Sequence, residues 1–172
     1  MRAPILAALT LASATLMGAA PASPPLDLAG RSSSLTGTWT MDSAYEIHRD
    51  GTRTTNYGEH PIGLMMVDRS GNYAIQIYRP GRPSFTSGVK AKGEPDEYRS
   101  AVLGSSNHFG RVRVDRAAHQ LQFDVQASSF PNWEGKRQVR DYTYAGGVLT
   151  YAVPASASGD GTIAYSVWRR VR

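Results

Sequence analysis

Beyond residue 34 the chain alternates apolar and polar positions with a period of two, the pattern of half-buried β-strands. Leu121, Phe123, Val125 and Ala127 form one face of such a run against Gln120, Gln122, Asp124 and Gln126 on the other. Tyr73, Ile75 and Ile77 stand opposite Ala74, Gln76 and Tyr78 in the same way, so both faces of that strand can be partly buried. The alternation predicts strands over 37–47, 52–57, 62–67, 72–79, 107–115, 119–127, 136–144, 148–153 and 162–171. Turn chemistry separates several of them: Gly51 closes 48–51, Gly71 closes 68–71, and Gly146-Gly147 joins the runs around it. After residue 34 one stretch, 96–103, is helix-like, with Tyr98 and Val102 four apart and Ala101 beside them.

Eight or nine short antiparallel strands with hairpin-length links predict an up-and-down meander. Closing the meander into a barrel removes edges that would otherwise aggregate. An open sandwich is the structural competitor. The expected fold is therefore all-β: a closed antiparallel barrel of eight or nine strands with one short helix. The Gly/Pro/Lys-rich stretch 80–95 is long for a link, which makes it a candidate lid or portal.

The N-terminal residues obey a different pattern. A lone charge at Arg2, an apolar run over 4–17 and the small-residue site Ala20-Pro21-Ala22 have the layout of a secretory signal cleaved after Ala22. Thr10, Ser13, Thr15 and Gly18 make the run too polar and too short for the ~20 apolar residues of a spanning helix, so stable membrane insertion is not expected. Residues 23–34, rich in Pro, Ser and Gly, read as a flexible leader, and 35–172 as the barrel domain. An exported protein, periplasmic or secreted, is the expectation.

Removing 22 of the 172 residues leaves 150, enough for one domain that buries roughly 70% of its unfolded surface. With no cysteine the chain must hold together on that core alone, without disulfides or thiolate chemistry. The net charge of +5 comes from 16 Arg and three Lys, but these are interleaved with acids, as at Arg49-Asp50 and Asp115-Arg116. No basic tract forms, and no nucleic-acid module is recognisable. His48, His60, His108 and His119 build no metal-ligand spacing, no catalytic elbow or phosphate loop occurs, and no cofactor is implied.

A series of motifs carries a resemblance. Leu35-Thr-Gly-Thr-Trp39 is similar to the Gly-x-Trp opening of lipocalins. Asp50-Gly51, Tyr57-Gly58, Pro61-x-Gly63, Asp68-x-x-Gly71-x-Tyr73, Arg82-Pro83, Glu97-Tyr98, Phe109-Gly110, Phe130-Pro-Asn-Trp133-x-Gly135, Gln138-x-Arg140 and Trp168-x-Arg170 follow in order. Together they resemble the lipocalin-like domain family of bacterial and fungal proteins, a calycin-type barrel, over nearly all of 35–170. The resemblance implies a plug at the closed end, where Arg170, or Arg169 on the opposite face, packs over Trp39. It also implies a small apolar or amphipathic molecule bound inside the barrel. The alternative it admits is a cofactor-free isomerase or cyclase in the same cavity, in which tyrosines, an Arg and an acid orient the substrate and stabilise charge. A module presenting the 80–95 loop to another protein is a third reading.

Candidate site residues follow from strand faces. Gln138, Arg140, Tyr142 and Tyr144 share one face, and Arg137, Val139, Asp141 and Thr143 the other. If the first set points in, the cavity holds a guanidinium, an amide and phenols suited to an acidic or amphipathic ligand; if Val139 points in, Arg140 is a surface charge. Tyr57, Tyr73, Tyr78, Phe85, Phe109 and Trp133 are candidate aromatic walls, or simply core filling. Glu97 either orients Arg140 or is a helix-face charge. His108, which titrates near neutrality when unperturbed, is the one place where acid–base chemistry can be assembled.

Overall fold

The computed structural model of the protein describes residues 35–153 and 161–171. The expected signal and leader, 1–34, and the Pro/Ser/Gly link 154–160 lie outside the described residues.

Nine strands are present among the described residues: β1 (Gly37–Ile47), β2 (Arg53–Thr54), β3 (Ile62–Val67), β4 (Asn72–Tyr78), β5 (Ser105–Asp115), β6 (Gln120–Ser128), β7 (Arg137–Ala145), β8 (Val148–Val153) and β9 (Ile163–Arg170). All pairings are antiparallel, β1–β3 and then each strand with the next, and β9 returns to pair with β1. Eight strands thus close a barrel, with β2 a short addition beside the end of β1. The open sandwich is thereby excluded. Residues 52–57 form a strand only over Arg53–Thr54, because the next residues turn: Gly58 N–H donates to Thr55 C=O at 2.9 Å and Gly58 takes a positive φ.

The one α-helix among the described residues, α1 (Pro95–Leu103), starts one residue before the predicted span. Pro95 sits at its first position, and Glu94 and Glu97 complete a reciprocal capping box. It packs lightly against β5 and leaves Val102 and Leu103 more than half exposed.

Inward positions fill the lower half of the cylinder. Trp39, Met65, Ile75, Leu121, Phe123, Leu149, Tyr151 and Trp168 are all but inaccessible to solvent. Two β-bulges bend this alternation: one between Met41 and Ser43, the other opposite Phe109 and Gly110.

The closed end carries the expected plug. The Arg170 guanidinium stands 5.2 Å from the Trp39 ring centroid, Trp39 Nε1 donates to Leu35 C=O at 2.9 Å, and Tyr144 packs edge-on at 6.0 Å. Gly37 makes the contact possible: its φ is +132°, and a Cβ there would come within 3.3 Å of the Arg170 guanidinium. Arg169 faces outward and pairs with Asp42 at 2.6 Å.

Candidate functional site

The opposite end is hollow. A cavity of about 620 Å³ opens between the upper strands, with Val102 and Leu103 of α1 and Phe130 of the β6–β7 connection at its rim. Its wall includes Tyr57, Ile77, His108 and Trp133, and Arg140, Tyr151 and Ser166 lie deeper. Two shallower clefts of about 550 and 710 Å³ lie outside the cylinder, one over Arg111 and Asp124, the other by Leu35 and Asp68. The strands enclose neither.

Strand β7 settles the choice left open for its two faces. Gln138, Arg140, Tyr142 and Tyr144 turn inward, and Val139 is 40% exposed on the outside. Arg140 is 2% exposed, with its guanidinium carbon 4.5 Å from the Phe123 centroid and 5.1 Å from that of Tyr151. One Nη donates to the Gln138 side-chain oxygen, and Nε, also buried, has no partner. Burial pulls the Arg140 pKa down, against which the phenols of Tyr151 and Tyr73 support the charge. A guanidinium begins so high that it remains a cation at neutral pH. The three salt bridges among the described residues lie elsewhere, so no carboxylate neutralises it.

His108 stands beside this cation, 5% exposed, with Trp133 edge-on at 5.7 Å. Burial first, and then the Arg140 charge, push its pKa down to about 3, so the ring is neutral at physiological pH. The Tyr73 hydroxyl lies 2.9 Å from Nδ1. Burial raises the Tyr73 pKa further above the phenol range, and the hydroxyl keeps its proton. Nδ1 is its one hydrogen-bond partner, and donation to Nδ1 is the direction that leaves no hydroxyl hydrogen buried without an acceptor; the imidazole proton then sits on Nε2. Burial likewise raises the Tyr57 phenol.

The candidate residues divide into groups. Tyr57, His108, Trp133 and Arg140 line the cavity, Tyr73 and Gln138 support them from behind, and Tyr142 is buried against His119. Phe85 and Glu97 belong instead to the 79–104 loop and helix, and Tyr78, at the end of β4, packs against that loop: Arg82 stacks on Tyr78 at 4.6 Å and Phe85 packs on Tyr98 at 5.2 Å. Glu97 accepts from the Thr86 N–H at 2.8 Å, the Thr86 hydroxyl at 2.7 Å and the Glu94 N–H at 2.9 Å. Its carboxylate is thus used in tying the loop to the helix and makes no bond to Arg140. Phe109 is 47% exposed on the outer face of β5. Glu46, Ser106, Tyr151 and Ser166 also line the cavity and were not singled out from the sequence.

Among the described residues no group of three or more His, Asp or Glu is placed to hold a metal ion. Nor is any helix there long and apolar enough to cross a membrane. An eight-strand antiparallel cylinder, plugged by Trp39 and Arg170 at one end and hollow at the other, is the build of a lipocalin-type protein. The family model described as a lipocalin-like domain matches residues 36–171, and the chain belongs to that family. No curated protein matches it.

Proposed function

We propose that this protein binds a small apolar or amphipathic molecule inside the barrel. The observation that carries the reading is the cavity of about 620 Å³ at one end of a cylinder packed solid at the other. That volume falls within the ~300–1,000 Å³ of small-molecule sites, and Tyr57, Ile77, Leu103, Phe130 and Trp133 give the wall apolar surface beside polar groups such as Arg140 and Ser166. The layout of residues 1–22 supports action outside the cytoplasm, in the periplasm or the medium.

Native mass spectrometry of protein purified from its own host tests both parts. The expected spectrum shows a chain beginning at Ser23 with a small-molecule adduct, and Ser166→Trp, which fills the cavity, removes the adduct without unfolding the barrel. A bare chain that also fails to take up an environment-sensitive dye would overturn the binding reading; a chain retaining residues 1–22 would overturn export.

A second reading, a cofactor-free isomerase or cyclase, is favoured by one arrangement: neutral His108, oriented by Tyr73, beside the Arg140 cation. With its proton on Nε2 the neutral imidazole donates to the oxyanion that forms, and the guanidinium stabilises its charge. His108→Leu would then abolish turnover while leaving ligand uptake intact.

A further inference from the structure

Resting on the binding reading, we propose that the cavity selects a singly charged oxyanion, a carboxylate or its delocalised enolate equivalent, on an apolar body, with the charged head seated at Arg140.

The cavity lining is unbalanced between donors and acceptors. Arg140 offers five N–H donors and a full charge, yet among the described residues its side chain meets one amide oxygen, the Tyr151 phenol and two aromatic faces. Its Nε is buried without a partner. A cation withdrawn from water is costly unless an anion or a full set of acceptors replaces the water. The wall supplies neither.

The neighbours add donors. With Tyr73 donating to Nδ1, the only polar hydrogen of the His108 ring is on Nε2, which makes no hydrogen bond to the protein. The Trp133 indole can only donate, and its Nε1 is buried without a partner. Three adjoining residues of one cavity therefore present unmatched N–H groups, and an oxyanion is the ligand chemistry that accepts all of them.

The charge count limits the ligand further. Arg140 and Arg79 line the cavity against one carboxylate, Glu46, which leaves the wall one positive charge in excess. Glu46 forms no ion pair with either. A monoanion balances that excess, a dianion exceeds it, and a cation is repelled by it. Since His108 stays neutral down to about pH 3, it adds no second charge at working pH. The apolar body of the ligand lies toward Ile77, Val102, Leu103 and Phe130, between Arg140 and the mouth.

The test measures affinities for matched probes: dodecanoate against dodecanol, and 2-naphthoate against its methyl ester. The unmodified protein is expected to hold the acid of at least one pair more than about tenfold tighter than its uncharged partner, a preference of about 1.4 kcal/mol. Arg140→Met and Arg140→Gln should each reduce that ratio to about one while retaining the uncharged probe. Equal affinities in the unmodified protein, or a ratio that survives both substitutions, overturn the proposal and leave the binding reading standing. If no probe of either pair binds, the binding reading fails first and this inference with it. Should neither variant fold, the acid preference in the unmodified protein decides the matter, with binding across the acid's own ionisation as its check: the preference must vanish once the carboxylate is protonated.

Discussion

Tyr73 and His108 sit 35 residues apart in sequence and share a hydrogen bond of 2.9 Å that fixes which ring nitrogen carries the imidazole proton. The folded chain resists protonating this ring until about pH 3, against an ordinary value of 6.5. Between those two values the unfolded chain binds more protons at this residue than the folded one, so stability rises with pH across the window. As pH falls below about 6.5 the stabilisation is lost progressively, at no more than ~1.4 kcal/mol per pH unit from this group. Denaturant titrations at several pH values should show this slope, and His108→Gln should flatten it. An NMR titration in which the His108 ring protonates near neutrality would contradict the assignment.

Tyr73→Phe removes the donor and leaves Nδ1 buried without a partner. The expected cost is about 1–3 kcal/mol, read as a shift of the denaturation midpoint at neutral pH. In the same variant the His108 tautomer is no longer dictated, which its ring nitrogen chemical shifts would report.

Arg140→Met distinguishes a binding charge from a structural one. A buried ion whose partner is built into the fold costs about 3–5 kcal/mol when one member is removed. Arg140 has no such partner, so an apolar side chain of similar length should leave the melting temperature unchanged or raised. A fall of several degrees in the ligand-free protein would show the guanidinium to be part of the scaffold.

The plug at the closed end should behave in the opposite way. Trp39→Ala removes a ring that is 1% exposed and should cost about 3–5 kcal/mol, a large drop in a thermal melt. Arg170→Met loses the cation–π contact and should cost less, about 0.5–2 kcal/mol. Gly37→Ala should cost at least ~1 kcal/mol, through the positive φ and the crowded guanidinium.

Asp124 meets Arg113 at 2.8 Å and Arg137 at 2.6 Å on the outer face, and the Arg137 hydrogen bond holds its carboxyl below the usual range. Both arginine side chains are more than half exposed, so Asp124→Asn should change stability by under ~1 kcal/mol and weaken with added salt. Melts at low and high ionic strength check this.

The alternation in β6, the turns at Gly51 and Gly71 and the closing of the meander were all legible in the chain. Which face of β7 points inward was not, because four polar or aromatic residues opposed a set containing only Val139 as an aliphatic. The deciding information lies between strands: Arg140 is paired with Leu121 and Gln138 with Phe123, and cross-strand partners share a face. Glu46 escaped for a different reason. Continuing the phase of Trp39 and Met41 along β1 would place Ser43 and Tyr45 inside. The bulge after Met41 shifts the phase, burying Ala44, turning Glu46 to the cavity and leaving Tyr45 stacked on Tyr165 at 5.1 Å. Glu97 was misleading in proximity alone, since its acceptors were already claimed by the residues that hold its own helix end.

Because β1 is bonded to β3 over Gly37–Thr40 on one side and to β9 along most of its length on the other, no barrel strand among the described residues is left with a wholly unpaired edge. Among the described residues the one added strand with a free flank, β2, is two residues long, too brief to template a neighbour. A ladder closed in this way blunts edge-to-edge pairing between copies, so contacts between the described surfaces fall to side chains on the outer wall and around the rim.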